Sequence, residues 1–232
     1  MKPCTENHRL GEPSPNGQAR ASQRPPLLSV SMTTVTDAYS RRAAEYTDLL
    51  GSMDSVHPSD RQLIDTWADA VTGRVLDAGC GPGHWTNYLA GRGLDVYGID
   101  LVPSFLEHAR STYPDTTFRL GSIDNIQEQD ESLGGILSWY STIHHEPSRI
   151  GVPIAEFART IRAGGLLVLG HFDGPTTEPF DHAVTRAYRW PAGELQPILE
   201  GHGFEVLETH RRIGQNHRPL GAIVARRGSA PI

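Results

Sequence analysis

The sequence has little cysteine, no surplus of positive charge and no long apolar run. Its two cysteines, Cys4 and Cys80, cannot build a disulfide framework and suit a reducing cytoplasm. The formal net charge of −6 offers no basic surface, so we expect no nucleic-acid partner. No apolar run approaches the roughly 20 residues that cross a bilayer, so we expect no membrane partner. The 232 residues suffice for one cytoplasmic α/β domain with a small appendage.

Residues 1–31 also lack apolar periodicity. They carry several prolines among Ser, Asn, Gln and Arg, a composition that predicts a disordered N-terminal tail. The apolar segment of about 7–15 residues that a secretory signal needs is missing from them. Met32 opens the part that reads as folded, which makes it a candidate start of translation.

What the chain does contain is a glycine-rich loop at 77–83, Asp-Ala-Gly-Cys-Gly-Pro-Gly, after a strand that ends in Val75 and Leu76. Glycines there let the backbone turn sharply and approach a ligand. A dinucleotide fingerprint would need glycine where His84 stands, and no Gly-Lys-Ser/Thr ending marks a phosphate loop. An acid before the loop, Asp77, suits a ligand with a cationic end, and S-adenosylmethionine carries an ammonium and a sulfonium group.

A second acidic residue, Asp100, ends the next predicted strand, Leu94 to Ile99. An acid at a strand end about 20 positions after a glycine loop can accept hydrogen bonds from both ribose hydroxyls. Two motifs in register are more specific than either alone. The alternative role for Asp100 is that of a helix N-terminal acid, because Pro103 can occupy the first turn of the following helix.

Together, the loop at 77–83 and Asp100 resemble the class I S-adenosylmethionine-dependent methyltransferases, whose first motif has the form Asp-x-Gly-x-Gly-x-Gly. The resemblance implies a doubly wound, seven-stranded Rossmann-like α/β sheet with its last strand antiparallel, under an N-terminal helical lid. We assign residues 32–72 to the lid, 73–232 to the cofactor-binding core and 172–192 to a substrate-loop insertion within it.

Two helices are predicted in the lid. Tyr39, Ala43 and Tyr46 have helical spacing between residues 36 and 50. The motif Ser59-x-x-Gln62 predicts the capped start of a second helix, whose apolar face should lie against the sheet. In the family the first helix covers the donor and the substrate, although aromatic residues at this spacing also serve as ordinary core.

The resemblance also implies two sets of binding residues. The expected donor-binding residues are Asp77, Gly79, Cys80, Gly81, Gly83, Trp85, Asp100, Leu101, Ser122, Ile123, Ser138 and Trp139. The expected acceptor-binding residues are Tyr39, Tyr46, Tyr140, His171 and Tyr188. Many family members carry an acid where this chain has Ser122.

Methyl transfer from a sulfonium is a direct displacement, so the main task is to align the acceptor with the methyl carbon. A base helps when the acceptor is a phenol or an alcohol. His144 and His145, after the fourth predicted strand, are the candidate catalytic residues, although strand-end histidines often only satisfy backbone groups. No metal is expected, because neither the carboxylates nor the histidines have a recognised ligand spacing.

The sequence therefore predicts a bacterial enzyme that methylates an oxygen or nitrogen of a small molecule, with S-adenosylmethionine as cofactor. Residues 139–144 and 187–191 resemble small bacterial methyltransferases, some of which act on secondary-metabolite precursors. We expect a monomer or a homodimer. The alternative is a binding module that keeps the cofactor site but has lost catalysis and serves as a scaffold or regulator.

Overall fold

The computed structural model describes residues 27–214 and 218–229. The helices are α1 (Leu27–Leu50), α2 (Pro58–Ala70), α3 (His84–Gly91), α4 (Pro103–Thr112), α5 (Gly151–Thr160) and α6 (Ala192–Gly201), with one 3-10 turn at Met53–Ser55. The strands are β1 (Val75–Ala78), β2 (Val96–Asp100), β3 (Thr117–Leu120), β4 (Leu133–Trp139), β5 (Ile161–Phe172), β6 (Glu178–Asp181), β7 (Arg186–Arg189), β8 (Phe204–Arg212) and β9 (Leu220–Arg227).

The strands form one sheet whose central order is β3-β2-β1-β4-β5, and all pairs along this path are parallel. β9 then pairs antiparallel with β5, and β8 pairs antiparallel with β9. This is the doubly wound Rossmann-like arrangement with the last strand antiparallel, so the predicted fold class is confirmed. The order reverses between β1 and β4, where doubly wound sheets place their ligand crevice.

Helices cover both faces of the sheet because its central strands are apolar on both sides. On one face, Ile64 and Trp67 of α2 and Leu89 of α3 pack against β1, β4 and β5. On the other face, Phe157 of α5 and Leu195 of α6 pack with the opposite side chains of the same sheet. The prediction that the apolar face of α2 lies on the sheet is confirmed.

The lid differs from the prediction at the starts of its helices. α1 begins at Leu27, so residues 27–31 are helical and not part of a disordered tail; residues 1–26 of the predicted tail lie outside the described chain. α2 begins at Pro58, one residue before the predicted cap. The ring of His57 accepts a hydrogen bond from the backbone N–H of Ser59 and caps the helix in place of Ser59.

The insertion contains a hairpin that the sequence did not predict. β6 and β7 pair antiparallel, and β7 joins the end of β5 through one parallel bridge, Phe172 to Arg189. The sheet therefore has nine strands where seven were predicted. A proline at 179 and strands of four residues conceal the hairpin from periodicity. Over the described residues, no helix is both long and apolar enough to cross a membrane.

Candidate active site

A cavity opens at the carboxyl ends of β1, β2 and β4, beneath α1. Its empty space measures about 740 Å³, including the space open to solvent. Its walls come from the glycine loop, the end of β2, the segment after β4 and the lid helix. The structure therefore brings together segments that are distant in the sequence.

The glycine loop at 77–83 has positive φ at each of its three glycines. A Cβ on Gly79 would meet the side chain of Ser141 at 2.3 Å, and one on Gly83 would meet the ring of Phe118 at 2.7 Å. A Cβ on Gly81, in contrast, would meet nothing within 4 Å, and Gly81 lines the cavity. Gly79 and Gly83 thus permit close packing, while Gly81 leaves room for a ligand beside the backbone.

The carboxylate of Asp100 organises the loop. Its Oδ2 accepts a hydrogen bond from the N–H of Gly81 at 2.9 Å, and its Oδ1 accepts one from the N–H of Val102 at 2.8 Å. Burial raises the pKa of Asp100, and the backbone hydrogen bonds oppose that rise. Each oxygen keeps a second lone pair, so the carboxylate can still accept hydrogen bonds from a ligand.

Asp77 lies behind the loop and is buried. Its Oδ2 accepts a hydrogen bond from Oγ1 of Thr86 at 2.6 Å. Burial raises the pKa of Asp77 to about 7; the hydrogen bond from Thr86 opposes the rise and the nearby Asp100 adds to it. The charge of Asp77 therefore changes near neutral pH. Asp77 acts on the cavity through its field, since it is not among the residues of the cavity wall.

His144 lines the same cavity as the glycine loop and contacts two other segments. Its Nδ1 lies 2.7 Å from the carbonyl oxygen of Arg186 in β7, and its Nε2 lies 2.9 Å from the hydroxyl of Tyr39 in α1. A carbonyl can only accept, so Nδ1 carries the proton and Nε2 accepts from Tyr39. Burial lowers the pKa of His144 to about 4. The ring is thus neutral, with its basic nitrogen facing the lid.

His145 is held differently. Its Nε2 lies 2.8 Å from Oδ1 of Asp124, and its Nδ1 lies 3.2 Å from the carbonyl oxygen of Thr142. Both partners are acceptors, so neither ring nitrogen of His145 faces a hydrogen-bond donor as Nε2 of His144 does. The geometry therefore favours His144 over His145 as a base.

Known proteins resemble this chain both in sequence and in structure. Residues 75–165 match the family model described as a methyltransferase domain. This match, the methyltransferase relatives and the structural neighbours described below together support a class I S-adenosylmethionine-dependent methyltransferase domain. S-adenosylmethionine is the methyl donor of this family, so the cofactor that the sequence indicated is confirmed at the level of the family.

Among curated relatives, an uncharacterised methyltransferase of Mycobacterium tuberculosis is 32% identical over 142 residues, covering 61% of this chain and 52% of that protein. The chain thus spans about half the length of the curated relatives that it matches. A Burkholderia thailandensis 1,6-didemethyltoxoflavin-N1-methyltransferase, solved with 1,6-didemethyltoxoflavin and S-adenosylhomocysteine, has a TM-score of 0.73 at 18% identity, covering 87% of this chain and 90% of that chain. Synechocystis magnesium protoporphyrin IX methyltransferase has a TM-score of 0.67 at 18% identity, covering 85% and 97% respectively. These structural likenesses show the fold of the methyltransferase domain.

The methyltransferase cavity collects many of the residues that the sequence proposed. Those in its wall are Gly79, Gly81, Asp100, Leu101, Ile123, Trp139, Tyr39, Tyr46, Tyr140, His144 and His145. The remaining proposed residues are not among the lining residues of this cavity, and their roles in binding stay predictions.

The proposed residues outside the cavity wall fall into two groups. Cys80, Trp85 and Tyr188 are buried in hydrophobic clusters, and Gly83 packs on Phe118. The others are polar residues that make hydrogen bonds within the protein: Asp77 with Thr86, Ser122 with the N–H of Asp124, and Ser138 with Ser141. The ring of His171 lies 3.3 Å from the carbonyl oxygen of Phe172 and packs against Gly221. Motif position alone does not reveal which way a side chain points.

Several cavity residues were not proposed from the sequence. They are Val35, Thr36, Val102, Phe105, Gly121 and Ser141. Phe105 could have been found, because it lies in the first turn of α4, shortly after Asp100, and its ring packs against Tyr39 and Tyr46. Val35 and Thr36 carry no sequence signal, since only the packing of α1 brings them to the cavity.

The histidines near the cavity differ in their neighbours. The rings of His144 and His182 lie 5.5 Å apart, while His145 turns toward Asp124. Within the described part of the chain, no group of three or more His, Cys, Asp or Glu is placed to hold a metal ion.

Proposed function

We propose that this chain transfers a methyl group from S-adenosylmethionine to an oxygen or nitrogen of a small-molecule acceptor. The observation that carries the proposal is one cavity whose wall contains both a set of groups suited to a nucleoside and a neutral histidine. The glycine loop and Asp100 are the groups suited to a nucleoside, and His144 is paired with Tyr39.

The groups suited to a nucleoside fit the donor. Gly81 leaves open space beside its backbone, and the Asp100 carboxylate has lone pairs available for two ribose hydroxyls. Val102, Phe105 and Ile123 are buried apolar side chains in the same wall and suit the flat face of adenine. Asp77, ionised above about pH 7, favours the cationic end of the donor.

When bound, S-adenosylmethionine supplies an activated methyl group for direct displacement by the acceptor. The residues of this chain orient the acceptor and remove its proton. A hydroxyl or amine of the acceptor can donate its proton to the oxygen of Tyr39 while Tyr39 passes its own proton to Nε2 of His144. The imidazolium that forms keeps its Nδ1–H on the carbonyl of Arg186, which holds the ring in place.

The acceptor belongs, in this proposal, to small secondary-metabolite precursors of a bacterial cytoplasm. The resemblance of 139–144 and 187–191 to small bacterial methyltransferases supports this class, and the structural neighbours named above act on small molecules. Fold likeness alone does not select an acceptor.

Calorimetry with S-adenosylhomocysteine tests the donor site. We expect the wild type to bind it and Asp100→Ala to bind at least about tenfold more weakly, because charged hydrogen-bond acceptors are lost. Asp95→Ala is the matched control, since Asp95 is an exposed acid just before the same strand. Equal affinities of both variants would remove Asp100 from the donor site.

Transfer itself is tested by incubation with methyl-labelled donor and a bacterial metabolite extract, followed by mass analysis of labelled products. We expect labelled product from the wild type and from His108→Ala, on α4, and far less from His144→Ala. Binding of S-adenosylhomocysteine without any transfer would favour the alternative, a cofactor-binding module without catalysis.

A further inference from the structure

A second cavity lies beside the first at the same edge of the sheet. It measures about 430 Å³, including open space, and is bounded by the start of α2, the end of β8 and the start of β9. Leu63 contributes an apolar surface, and Arg211 and Arg212 contribute polar surface. Trp139 and Tyr140 line both cavities. The two spaces therefore share one wall.

The polar wall offers more hydrogen-bond donors than acceptors. Arg212 binds both oxygens of Asp60, through Nε at 3.2 Å and Nη2 at 2.6 Å. Arg211 contacts Asp173 through its Nε. Among residues 27–214 and 218–229, these pairs leave both terminal nitrogens of Arg211 and Nη1 of Arg212 without a partner. Because Arg212 compensates the charge of Asp60, the free N–H groups of the two arginines can donate to an anionic ligand, such as a carboxylate or a phosphate.

Tyr140 is the residue between the two cavities. Its φ of 59° lies in the left-handed region, which an aromatic residue seldom adopts and which occurs preferentially at functional sites. Its ring packs against Trp139 and Phe172, with centroids 5.1 and 5.3 Å apart. Burial, with a contribution from Asp60, raises the pKa of Tyr140, so its hydroxyl remains a donor.

We propose that the second cavity binds an anionic group of the methyl acceptor, a carboxylate or a phosphate, and that Arg211 and Arg212 select it. The inference rests on the proposed methyl transfer. A molecule anchored by its anion in the second cavity lies against Trp139 and Tyr140, which also line the first cavity. In this proposal its reactive atom extends past Tyr140 toward His144.

Binding of aromatic probes to the protein saturated with S-adenosylhomocysteine tests this inference. The probes are 4-hydroxybenzoate, phenyl phosphate and the neutral 4-hydroxybenzamide, titrated by NMR. We expect at least one anion to bind about tenfold more tightly than the amide, and Arg211→Gln to remove that advantage. Whichever of the two anions binds more tightly identifies the acceptor's group. Arg226→Gln is the matched control, because Arg226 pairs with Glu205 on the same strand pair but outside the cavity.

A second variant, Leu63→Trp, fills the cavity without changing its charge and should also abolish binding of the anion. Calorimetry with S-adenosylhomocysteine accompanies every variant and should be unchanged, which shows that the donor cavity is intact. If the wild type does not bind S-adenosylhomocysteine, the proposed function is contradicted. If the wild type binds S-adenosylhomocysteine but has equal affinity for the three probes, only the anion site is overturned. The same conclusion follows if Arg211→Gln and Arg226→Gln change the binding of the anions equally.

Discussion

The hydroxyl of Tyr39 lies 2.9 Å from Nε2 of His144, and this contact joins the lid helix to the segment after β4. The fixed Nδ1–H of His144 makes Nε2 the acceptor, so the proton between the two residues belongs to Tyr39 in the resting protein. In the proposed mechanism this neutral pair, which lines the cavity, supplies the base.

Tyr39→Phe should lower the rate of methyl transfer by about tenfold or more, because it removes the hydroxyl that links the acceptor to His144. Tyr46→Phe is the matched control: Tyr46 lines the same cavity and packs on Tyr39 with ring centroids 5.6 Å apart. Initial rates with a saturating acceptor measure the effect. Equal rates for the two variants would show that the proton leaves by another route.

His144→Gln should make folding less sensitive to acid. Burial lowers the pKa of His144 to about 4 from its ordinary 6.5, so the folded state binds fewer protons than the unfolded state between these values. Stability from this group is present above pH 6.5 and is lost as the pH falls toward 4. The loss amounts to about 3 kcal/mol when complete. Urea unfolding of both proteins at several pH values measures it, and parallel stability curves would contradict the assignment.

The affinity for S-adenosylmethionine should rise from about pH 6 to about pH 8, because ionised Asp77 attracts the cationic donor. The pKa of Asp77 is raised to about 7, mainly by burial. Thr86→Val removes a hydrogen bond that favours the ionised form, so the rise should move to higher pH. Thr66→Val, whose hydroxyl bonds only to its own helix, is the control. Calorimetry across the pH range would exclude this role of Asp77 if wild-type affinity stayed constant.

Gly83→Ala and Gly81→Ala should separate stability from binding. The Cβ at 83 would lie 2.7 Å from Phe118, so we expect the free energy of unfolding to fall by about 2–4 kcal/mol. At 81 the Cβ meets no neighbour, so unfolding should lose only about 1 kcal/mol while donor affinity falls about tenfold. Denaturant unfolding and calorimetry measure the two effects, and the opposite ranking would contradict these roles.

The sequence predicted the features that depend on short segments. The loop at 77–83 follows β1, and Asp100 ends the neighbouring parallel strand β2. A local motif was therefore enough to predict that the two lie together. The contact between Tyr39 and His144 spans 105 positions and depends on how α1 packs on α4 through Tyr46 and Phe105. No local pattern encodes that packing, and the same limit applies to the hairpin within 172–192.

His145 illustrates the same limit for a single side chain. Sequence position made it as good a candidate base as its neighbour, because both follow the same strand. The direction of each ring depends on contacts made elsewhere: Asp124 holds His145, and β7 holds His144. Residue type and spacing predicted the segment, and the tertiary contacts separate the two rings.

The carbonyl of Arg186 belongs to the hairpin, yet it determines which nitrogen of His144 is basic. The N–H of Tyr188 donates to the carbonyl of Ile143 at 2.8 Å, which ties the two segments together a second time. In the proposed mechanism the hairpin, which lies within the predicted substrate loop, is therefore also part of the proton-transfer apparatus. A graft of this hairpin from another enzyme would exchange specificity and basicity together, so engineering of new acceptors is better directed at side chains than at the loop backbone.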